Sequence, residues 1–388
     1  LYISDSTRLS LSISDDGILE GSIRSPRLAF GRDYLKDVDM SLSSMQEYME
    51  AGLSGSELRA GNIMVGRPAL AASASDDRFN VALNFDSFAG GGRDGRLLME
   101  GGIARDSTGT FMLDAHPLDS YLATADGMWV FDESQISYNG SELKISGFKL
   151  SKGGQMISLE GGWSREKADT LSLVAKDIDL SIIDEFLPES LGIRGRAGGR
   201  VLLTSGDGLL PGMLVNFRLD SLGIGTTDAG QIRIASALGE EREDVSILLR
   251  HSIEGRTALY ADGDYSLESG DLSLDARLDS LPLSIAAPFL SEVFDELGGS
   301  VSGGVSMARN SGGFSVSGDG LHLNDVRLGL AFTGVDYVIS GPMRLDDGGL
   351  HFDDMLVSDM SEGSGSISGT LTHRQLEDFE LSSRLSLD

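Results

Sequence analysis

The stretch Leu143-Lys144-Ile145-Ser146-Gly147-Phe148-Lys149-Leu150 alternates apolar and polar residues, and the alternation changes phase by one residue across Ser146-Gly147. Period-two alternation is typical of a β-strand with one apolar face, because successive side chains point to opposite sides of a sheet. A phase change of one residue is what a β-bulge requires if the same face is to stay apolar. The same change occurs at Asp220-Ser221, Asn324-Asp325 and Asp353-Asp354. We therefore predict four bulged strands with one apolar face.

Apolar patterns of this kind recur at a nearly constant spacing. Leu180, Ile182, Phe186 and Leu187 return after 103 residues as Leu283, Ile285, Phe289 and Leu290. Phe217, Leu219, Leu222 and Ile224 return after 104 residues as Leu321, Leu323, Val326 and Leu328. Leu143, Ile145, Phe148 and Leu150 return after 207 residues as Leu350, Phe352, Met355 and Val357. A fixed spacing is typical of repeat architectures, so we predict that residues 1–388 form one continuous repeat-built segment with approximate units 1–95, 96–170, 171–271 and 272–388.

Composition excludes several classes of protein. The 51 glycines among 388 residues come with only 8 prolines and no Gly-X-Y period, so collagen is excluded and the glycines indicate turns and bulges. A net charge of −29 would repel phosphates and disfavours nucleic acid as a partner. There is no cysteine for disulfides or thiol chemistry. No apolar run approaches the roughly 18 residues that a transmembrane helix needs. Both ends fall within strand-like patterns, and we expect the chain to be a segment of a longer protein.

The predicted fold class is mainly β, an elongated and curled antiparallel sheet with a few short amphipathic helices. Short strands are separated by Asp/Gly/Ser turns such as Asn139-Gly140, which favour antiparallel hairpins. An apolar-x-Gly-x-apolar pattern recurs, and a glycine on the apolar face lets a sheet bend tightly. The four occurrences are Met99-Gly101-Ile103, Leu159-Gly161-Trp163, Ala261-Gly263-Tyr265 and Ile367-Gly369-Leu371. Helical spacing of apolar residues predicts helices over 43–51, 117–125, 182–191 and 284–297.

Helices this short cannot cover the apolar face of so many strands, and a sheet with one apolar face has to cover it. The sequence therefore predicts a trough with an apolar lining, closed only partly by the helices and suited to acyl chains. The predicted lining residues are Leu143, Ile145, Ile157, Leu159, Trp163, Leu171, Leu173, Leu272, Leu274, Leu350, Phe352 and Ile367.

Residue patterns for catalysis or metal binding are scarce, and we predict neither catalytic residues nor a metal or other cofactor. The histidines at 116, 251, 322, 351 and 373 lack the spacing of metal ligands, and we expect each to be a partly exposed strand or turn residue. Asp346, Asp347, His351, Asp353 and Asp354 form the densest group of metal-binding residue types, but they fall in a Gly-rich hairpin and its bulge. Two Ser-x-x-Lys matches lack the other motifs of penicilloyl transfer.

One extended signature resembles a known family. The residues Asp179-Leu180-Ser181-Ile182-Ile183, Phe186-Leu187-Pro188 and Gly195-x-x-Gly198-Gly199-x-Val201-Leu202 return as Leu283-Ser284-Ile285, Phe289-Leu290 and Gly299-x-Val301-x-Gly303-x-Val305. Together with Gly348-Gly349-Leu350-x-Phe352, Val357 and 366–371, they resemble the TamB family of the AsmA-like superfamily over residues 95–388.

The resemblance implies a periplasmic protein of a Gram-negative bacterium, anchored in the inner membrane at full length. It also implies a "β-taco" groove that carries phospholipids between the inner and outer membranes. An outer-membrane barrel of the Omp85 family is the implied partner, through regions outside this segment.

Four functions stay open at this point. The leading hypothesis is a non-enzymatic phospholipid conduit, because moving a sixteen-carbon chain into water costs about 12 kcal/mol at about 0.8 kcal/mol per methylene. A periplasmic factor that assists outer-membrane protein assembly by pairing strand edges is an alternative. The others are a structural or adhesive β-solenoid with a filled core, and an enzyme. Whether the apolar face is open or packed shut distinguishes the first from the third.

Overall fold

The computed structural model describes residues 2–45, 47–61, 63–87, 94–164, 166–184, 186–187, 191–205, 212–238, 243–289, 294–310, 313–330, 335–359, 363–374 and 377–387. Of the residues that the structure describes, 79% lie in 29 antiparallel strands and almost none are helical. The predicted fold class, an antiparallel β-protein with few helical residues, is confirmed.

The chain divides into two compact units. The N-terminal unit comprises Leu1–Ile193 with Leu202–Gly208, and the C-terminal unit comprises Arg194–Val201 with Leu209–Asp388. The N-terminal unit contains β1 Tyr2–Ile3, β2 Arg8–Ile13, β3 Leu19–Phe30, β4 Asp33–Met45, β5 Tyr48–Ser54, β6 Glu57–Ala60, β7 Ile63–Ser75, β8 Arg78–Ser87, β9 Asp94–Arg105, β10 Phe111–Pro117, β11 Tyr121–Thr124, β12 Gly127–Phe131, β13 Gln135–Tyr138, β14 Glu142–Lys152, β15 Gln155–Ser164, β16 Asp169–Asp179 and the helix α1 Ser181–Asp184.

The remaining strand β17, Arg194–Ser205, contributes residues to both units. The C-terminal unit contains β18 Gly212–Ile224, β19 Thr227–Leu238, β20 Asp244–Ile253, β21 Arg256–Ser266, β22 Leu272–Pro282, the 3-10 turns Leu283–Ile285 and Ala287–Phe289, β23 Phe294–Leu297, β24 Ser300–Asn310, β25 Gly313–Leu330, β26 Val335–Asp346, β27 Gly349–Asp359, β28 Ser364–Arg374 and β29 Glu377–Leu387.

Within each unit the strands follow one another as a meander, with some rows of the sheet built from two short strands placed end to end. In the N-terminal unit, β5 and β6 share the place between β4 and β7, and β10 and β11 both pair with β9. In the C-terminal unit, β23 and β24 both pair with β25. Consecutive hairpins explain this topology, since antiparallel strands need only short turns between them.

The sheet of the N-terminal unit is curled. The backbone N–H of Met64 on β7 donates a hydrogen bond of 3.1 Å to the carbonyl oxygen of Phe186, which follows β16. Seven strand-to-strand steps separate β7 from β16, which is about 34 Å in a flat sheet. The seven residues from Asp179 to Phe186 span at most about 24 Å, so a flat sheet could not make this contact.

The four predicted bulges are confirmed. The pairing register shifts between Ile145 and Phe148, Leu219 and Leu222, Leu323 and Val326, and Phe352 and Met355. Each bulge contains one residue with a positive φ. These residues are Gly147 at 70°, Ser221 at 52°, Asp325 at 46° and Asp354 at 47°. In three of the bulges this residue donates its backbone N–H to a side chain on the next strand. The acceptors are Glu160 Oε2 at 2.7 Å, Ser340 Oγ at 2.9 Å and Ser368 Oγ at 2.8 Å, respectively for Gly147, Asp325 and Asp354.

Backbone geometry recurs at the spacing that the apolar residues show. Positive φ angles occur at Asp177 and again 103 residues later at Ser280. They also occur in pairs 104 residues apart, namely Gly195 with Gly299, Gly199 with Gly303, and Ser221 with Asp325. The repeated sequence patterns therefore correspond to repeated conformations of the main chain.

The predicted helices are wrong for the most part. Residues 43–45 lie in β4 and residues 48–51 in β5, with 46 outside the described residues, and residues 117–125 include the end of β10 and all of β11. Within 182–191 the helix ends at Asp184, and residues 185 and 188–190 lie outside the described residues. Within 284–297 the structure has two 3-10 turns and then β23, with 290–293 outside the described residues. No helix in the described part of the chain is long and apolar enough to cross a membrane.

Pairing between strands explains the first of these errors. Leu42 lies opposite Ala51 and Ser44 lies opposite Met49, so the apolar residues share a face across a hairpin rather than along a helix. A spacing of four residues is compatible with both arrangements, because it is a multiple of two and close to one helical turn.

Candidate functional site

One face of the N-terminal unit carries an apolar row that a single polar residue interrupts. Residues directly opposite each other on paired strands share a face of the sheet, so the register traces each row from strand to strand. One row crosses twelve strands from β2 to β16 and is apolar at every position except Ser44. Its members are Ile13, Leu19, Ser44, Met49, Ala74, Phe79, Gly101, Ala115, Ile136, Ile145, Gly161 and Leu171.

The C-terminal unit has an apolar row of its own, which crosses ten strands from β18 to β28 without a polar residue. Its members are Phe217, Ile234, Leu249, Ala261, Ala276, Val305, Gly318, Leu345, Leu350 and Leu371. We call the face that carries the row in each unit its apolar face.

The predicted lining residues of the N-terminal unit lie together on its apolar face, on β14, β15 and β16. Leu143 lies opposite Trp163, and Leu159 lies opposite Leu173. Ile145 is opposite Gly161, which in turn is opposite Leu171. Ile157 continues the same set between Leu150 and Ala175. The structure thus brings all seven predicted residues of this unit into one patch.

The predicted lining residues of the C-terminal unit form two groups on its apolar face. Leu272 and Leu274 lie on β22, opposite Tyr265 and Gly263 of β21. Leu350 and Phe352 lie on β27, opposite Leu345 and Met343 of β26. Ile367 follows on β28, opposite Met355. The apolar row through Ala276 and Leu350 passes beside both groups, so they belong to the same face.

The lining residues are half-buried, which distinguishes the apolar faces from a packed core. Eleven of the twelve predicted lining residues are half-buried, and Ile145, at 8% exposed, is buried. On β22 the alternation is regular, with Leu272 and Leu274 half-buried and Ser273 and Asp275 exposed. Large apolar side chains that are completely buried are few in the described part of the chain, namely Trp129 and Val326. The predicted lining residues therefore keep part of their surface accessible to solvent.

Glycines on the apolar faces allow neighbouring strands to come unusually close. A Cβ atom on Gly101, Gly161, Gly263 or Gly369 would collide with a backbone carbonyl oxygen of the adjacent strand. The oxygens belong to Asp114, Thr170, Ser273 and Ser382. Each of these glycines is the centre of one predicted apolar-x-Gly-x-apolar pattern, and the close approach gives the physical reason for the pattern.

His251 lies on the apolar face of the C-terminal unit, and the expectation that it is partly exposed is wrong. Ile232 and Leu259 are its partners on β19 and β21, and the side chain is only 6% exposed. Its Nε2 lies 2.5 Å from the carbonyl oxygen of Ala229, which satisfies one ring nitrogen. The signal was present in the sequence, because Ile247, Leu249 and His251 alternate in phase.

The candidate metal-binding residues form an electrostatic pair rather than a metal centre. His351 Nε2 lies 3.1 Å from Asp346 Oδ1, and the hydrogen bond to His351, followed by that from the Gly348 N–H, holds the pKa of Asp346 below its ordinary value. Asp354 instead interacts with Ser368 on the next strand. Among the residues that the structure describes, no three His, Asp or Glu side chains are arranged to hold a metal ion.

Comparison with known proteins adds no relative. No family model, no curated protein and no solved structure matches the chain.

Proposed function

We propose that the apolar faces bind the acyl chains of phospholipids, and that the protein is a non-enzymatic conduit for lipids between the inner and outer membranes. The observation that carries this proposal is the apolar row from Phe217 to Leu371, which crosses ten strands and is made of half-buried side chains over most of its length. A partly exposed apolar surface of this extent is unusual for a protein that functions alone, and this supports the proposal of an apolar ligand.

The energetics favour an acyl chain as that ligand. Each methylene removed from water contributes about 0.8 kcal/mol, so a chain of sixteen carbons gains on the order of 12 kcal/mol at most when it is fully covered. A polar residue in the row would raise the free energy of an acyl chain that passes over it. A row without polar residues imposes no such barrier. Movement along the face then requires no covalent chemistry, so the proposal includes no catalytic residue and no cofactor.

The cellular setting of the proposal rests on the resemblance of residues 95–388 to the TamB family. It consists of a periplasmic location in a Gram-negative bacterium, an inner-membrane anchor at full length, and an outer-membrane barrel as a partner through other regions. Phospholipid transport and outer-membrane biogenesis are the corresponding processes.

Photo-crosslinking from paired positions tests the proposal. Benzoyl-phenylalanine at Leu274 or Leu159, on the apolar faces, is expected to crosslink to phospholipid in cells, and mass spectrometry of the adduct would identify the lipid. Ser273 and Ser158 are matched controls, because each is the adjacent residue on the same strand and points to the opposite side. Equal labelling from both members of each pair would show that lipid contact is nonspecific and would reject acyl-chain binding to the apolar faces.

A further inference from the structure

Arg309 carries a permanent charge on the mostly apolar face of the C-terminal unit. It lies on β24, directly opposite Leu272 of β22 and Phe314 of β25, and Leu272 in turn lies opposite Tyr265 of β21. The side chain of Arg309 is exposed, and that of Phe314 is 41% exposed. The guanidinium therefore stands among apolar and aromatic groups at one end of the strands, where ligands have access to it.

Few titratable groups share this surface. Four adjacent rows of the apolar face pass through Leu272, Leu274, Ala276 and Leu278. Among the described residues of these rows, from β19 to β25, the titratable side chains are His251, Tyr265 and Arg309. His251 is buried and hydrogen-bonded to Ala229, which leaves Arg309 as the accessible cation of the four rows.

The guanidinium of Arg309 makes no ion pair or hydrogen bond with any residue that the structure describes. Two other arginines of the unit do form ion pairs, Arg218 with Asp220 at 3.1 Å and Arg344 with Asp346 at 2.8 Å. The phenol of Tyr265, two strands away on the same row, also has no described partner. Two hydrogen-bond donors thus face the same side of the sheet at its end, about 10 Å apart at the backbone.

We propose that Arg309 binds the anionic head of an acyl-chain ligand, through a phosphate or a carboxylate oxygen, with Tyr265 as a second donor. This inference rests on the proposed function and adds the class of headgroup and its position. A guanidinium can donate two parallel hydrogen bonds to either anion. The acyl chain would then extend from Arg309 over Leu274 and Ala276. The protein has a net charge of −29 and therefore repels anions on average. A preference for an anionic ligand thus requires a local cation such as Arg309.

Two lysophospholipids that differ only in headgroup test the inference. We would measure the binding of lysophosphatidylglycerol and lysophosphatidylcholine, with the same acyl chain and below their micelle concentrations, to the wild type and to Arg309→Gln, Arg309→Lys and Arg277→Gln. Arg277 is the matched control, because it is also exposed and without a described ion pair, but it lies on β22 opposite Tyr260 and Gly304, on the other side of the sheet.

The wild type is expected to bind the anionic probe about five-fold more tightly than the zwitterionic one, as one exposed charge-assisted contact allows. Arg309→Gln is expected to remove this preference, Arg309→Lys to keep part of it, and Arg277→Gln to leave it intact. A preference that survives Arg309→Gln, or that Arg277→Gln reduces equally, would overturn the inference.

Further probes separate the chemical source of the anion from the acyl chain. Palmitate should share the dependence on Arg309 if a carboxylate can replace the phosphate. Inorganic phosphate that binds as tightly as lysophosphatidylglycerol would show a free-anion site and overturn the proposal of an acyl-chain ligand at Arg309. If benzoyl-phenylalanine at position 274 crosslinks equally to both lysolipids and binding shows no headgroup preference, only the role of Arg309 is rejected. Absence of crosslinking by either would instead reject the proposed function.

Discussion

Leu274 on β22 lies directly opposite Gly263 on β21, so closely that a Cβ atom on Gly263 would be 2.7 Å from the Cα of Leu274 and would collide with the carbonyl oxygen of Ser273. Because Gly263 has no side chain, the backbone of β22 can lie close to that of β21 at this point. Gly101, Gly161 and Gly369 stand in the same relation to their neighbouring strands. Close strand contact at a glycine is thus a recurring element of both units, and it can be tested by substitution.

Gly263→Ala is expected to lower the free energy of unfolding by about 2 kcal/mol, because the methyl group would displace the backbone of β22. Gly298→Ala is the matched control within the same unit. The nearest atom to a Cβ at Gly298 is the Cβ of Arg327, at 3.7 Å, which is an ordinary contact. Urea unfolding followed by circular dichroism measures both variants, and equal stability of the two would contradict the close approach at Gly263.

The serine that faces a bulge is expected to stabilise it. Ser368 Oγ accepts a hydrogen bond from the backbone N–H of Asp354 at 2.8 Å, in a residue with a positive φ of 47°. Ser368→Ala leaves this N–H without its protein partner and should cost about 1 kcal/mol. Ser366→Ala removes a hydroxyl from the same side of β28, two residues away, and should change stability by less than about 0.5 kcal/mol. If the two variants unfold at the same urea concentration, the hydrogen bond does not stabilise the bulge.

The bulges and the apolar faces could be predicted because they depend on local alternation. The phase change at Ser146-Gly147 is visible in the sequence, and it corresponds to the register shift between Ile145 and Phe148. A one-residue slip without a bulge would send every later apolar side chain to the polar side, so the sequence pattern constrains the register strongly. The same argument placed Leu143 and Leu159 on one face, where the register puts them.

The hairpin at 43–51, the burial of Trp129 and the surroundings of Arg309 could not be predicted, because they depend on contacts that a single sequence does not reveal. Residues 42–45 pair with residues 48–51 across a hairpin, and nothing in the spacing of the apolar residues over 43–51 distinguishes that pairing from a helical face. The complete burial of Trp129 depends on neighbours such as Lys152, whose Nζ lies 5.2 Å from the ring centre. The position of Arg309 between Leu272 and Phe314 likewise follows only from the register of β22, β24 and β25.

Acid should destabilise the N-terminal unit through Glu57. Its Oε1 accepts hydrogen bonds from Lys36 Nζ at 2.8 Å and from the Tyr34 hydroxyl at 2.5 Å. The bond from Lys36, followed by the bond from Tyr34, lowers the pKa of Glu57. A native pKa below the unfolded value, about 4.3, means that Glu57 stabilises the fold above that pH. This contribution is lost as the pH falls through the native pKa.

The free energy of unfolding of the wild type should therefore fall more than that of Glu57→Gln between about pH 7 and pH 3. Glu20→Gln, which removes an exposed carboxylate from β3 of the same unit, is the control and should follow the wild type. Parallel pH profiles for the wild type and Glu57→Gln would show that the cluster of Tyr34, Lys36 and Glu57 does not couple folding to pH.

A charge on the apolar face distinguishes an open surface from a filled core. Leu274 is half-buried, whereas Val326, on the same side of the C-terminal unit, is 1% exposed. A carboxylate at position 274 can keep contact with water, so Leu274→Asp should fold with a melting temperature close to that of the wild type. Val326→Asp places the same charge where water has no access, and it should cost several kcal/mol and unfold the surrounding strands. Thermal unfolding of both variants, followed by circular dichroism, compares the two sites.

The folded Leu274→Asp variant then tests lipid movement, because a charge on the row should obstruct an acyl chain without removing the apolar positions on either side of it. We expect lipid crosslinking from benzoyl-phenylalanine at Leu350, farther along the same face, to fall several-fold in this variant. Ser273→Asp, which puts the charge on the exposed side of β22, should leave that crosslinking unchanged. If Leu274→Asp instead unfolds the protein as severely as Val326→Asp, the face around Leu274 is packed like a core, and transport along it is untenable.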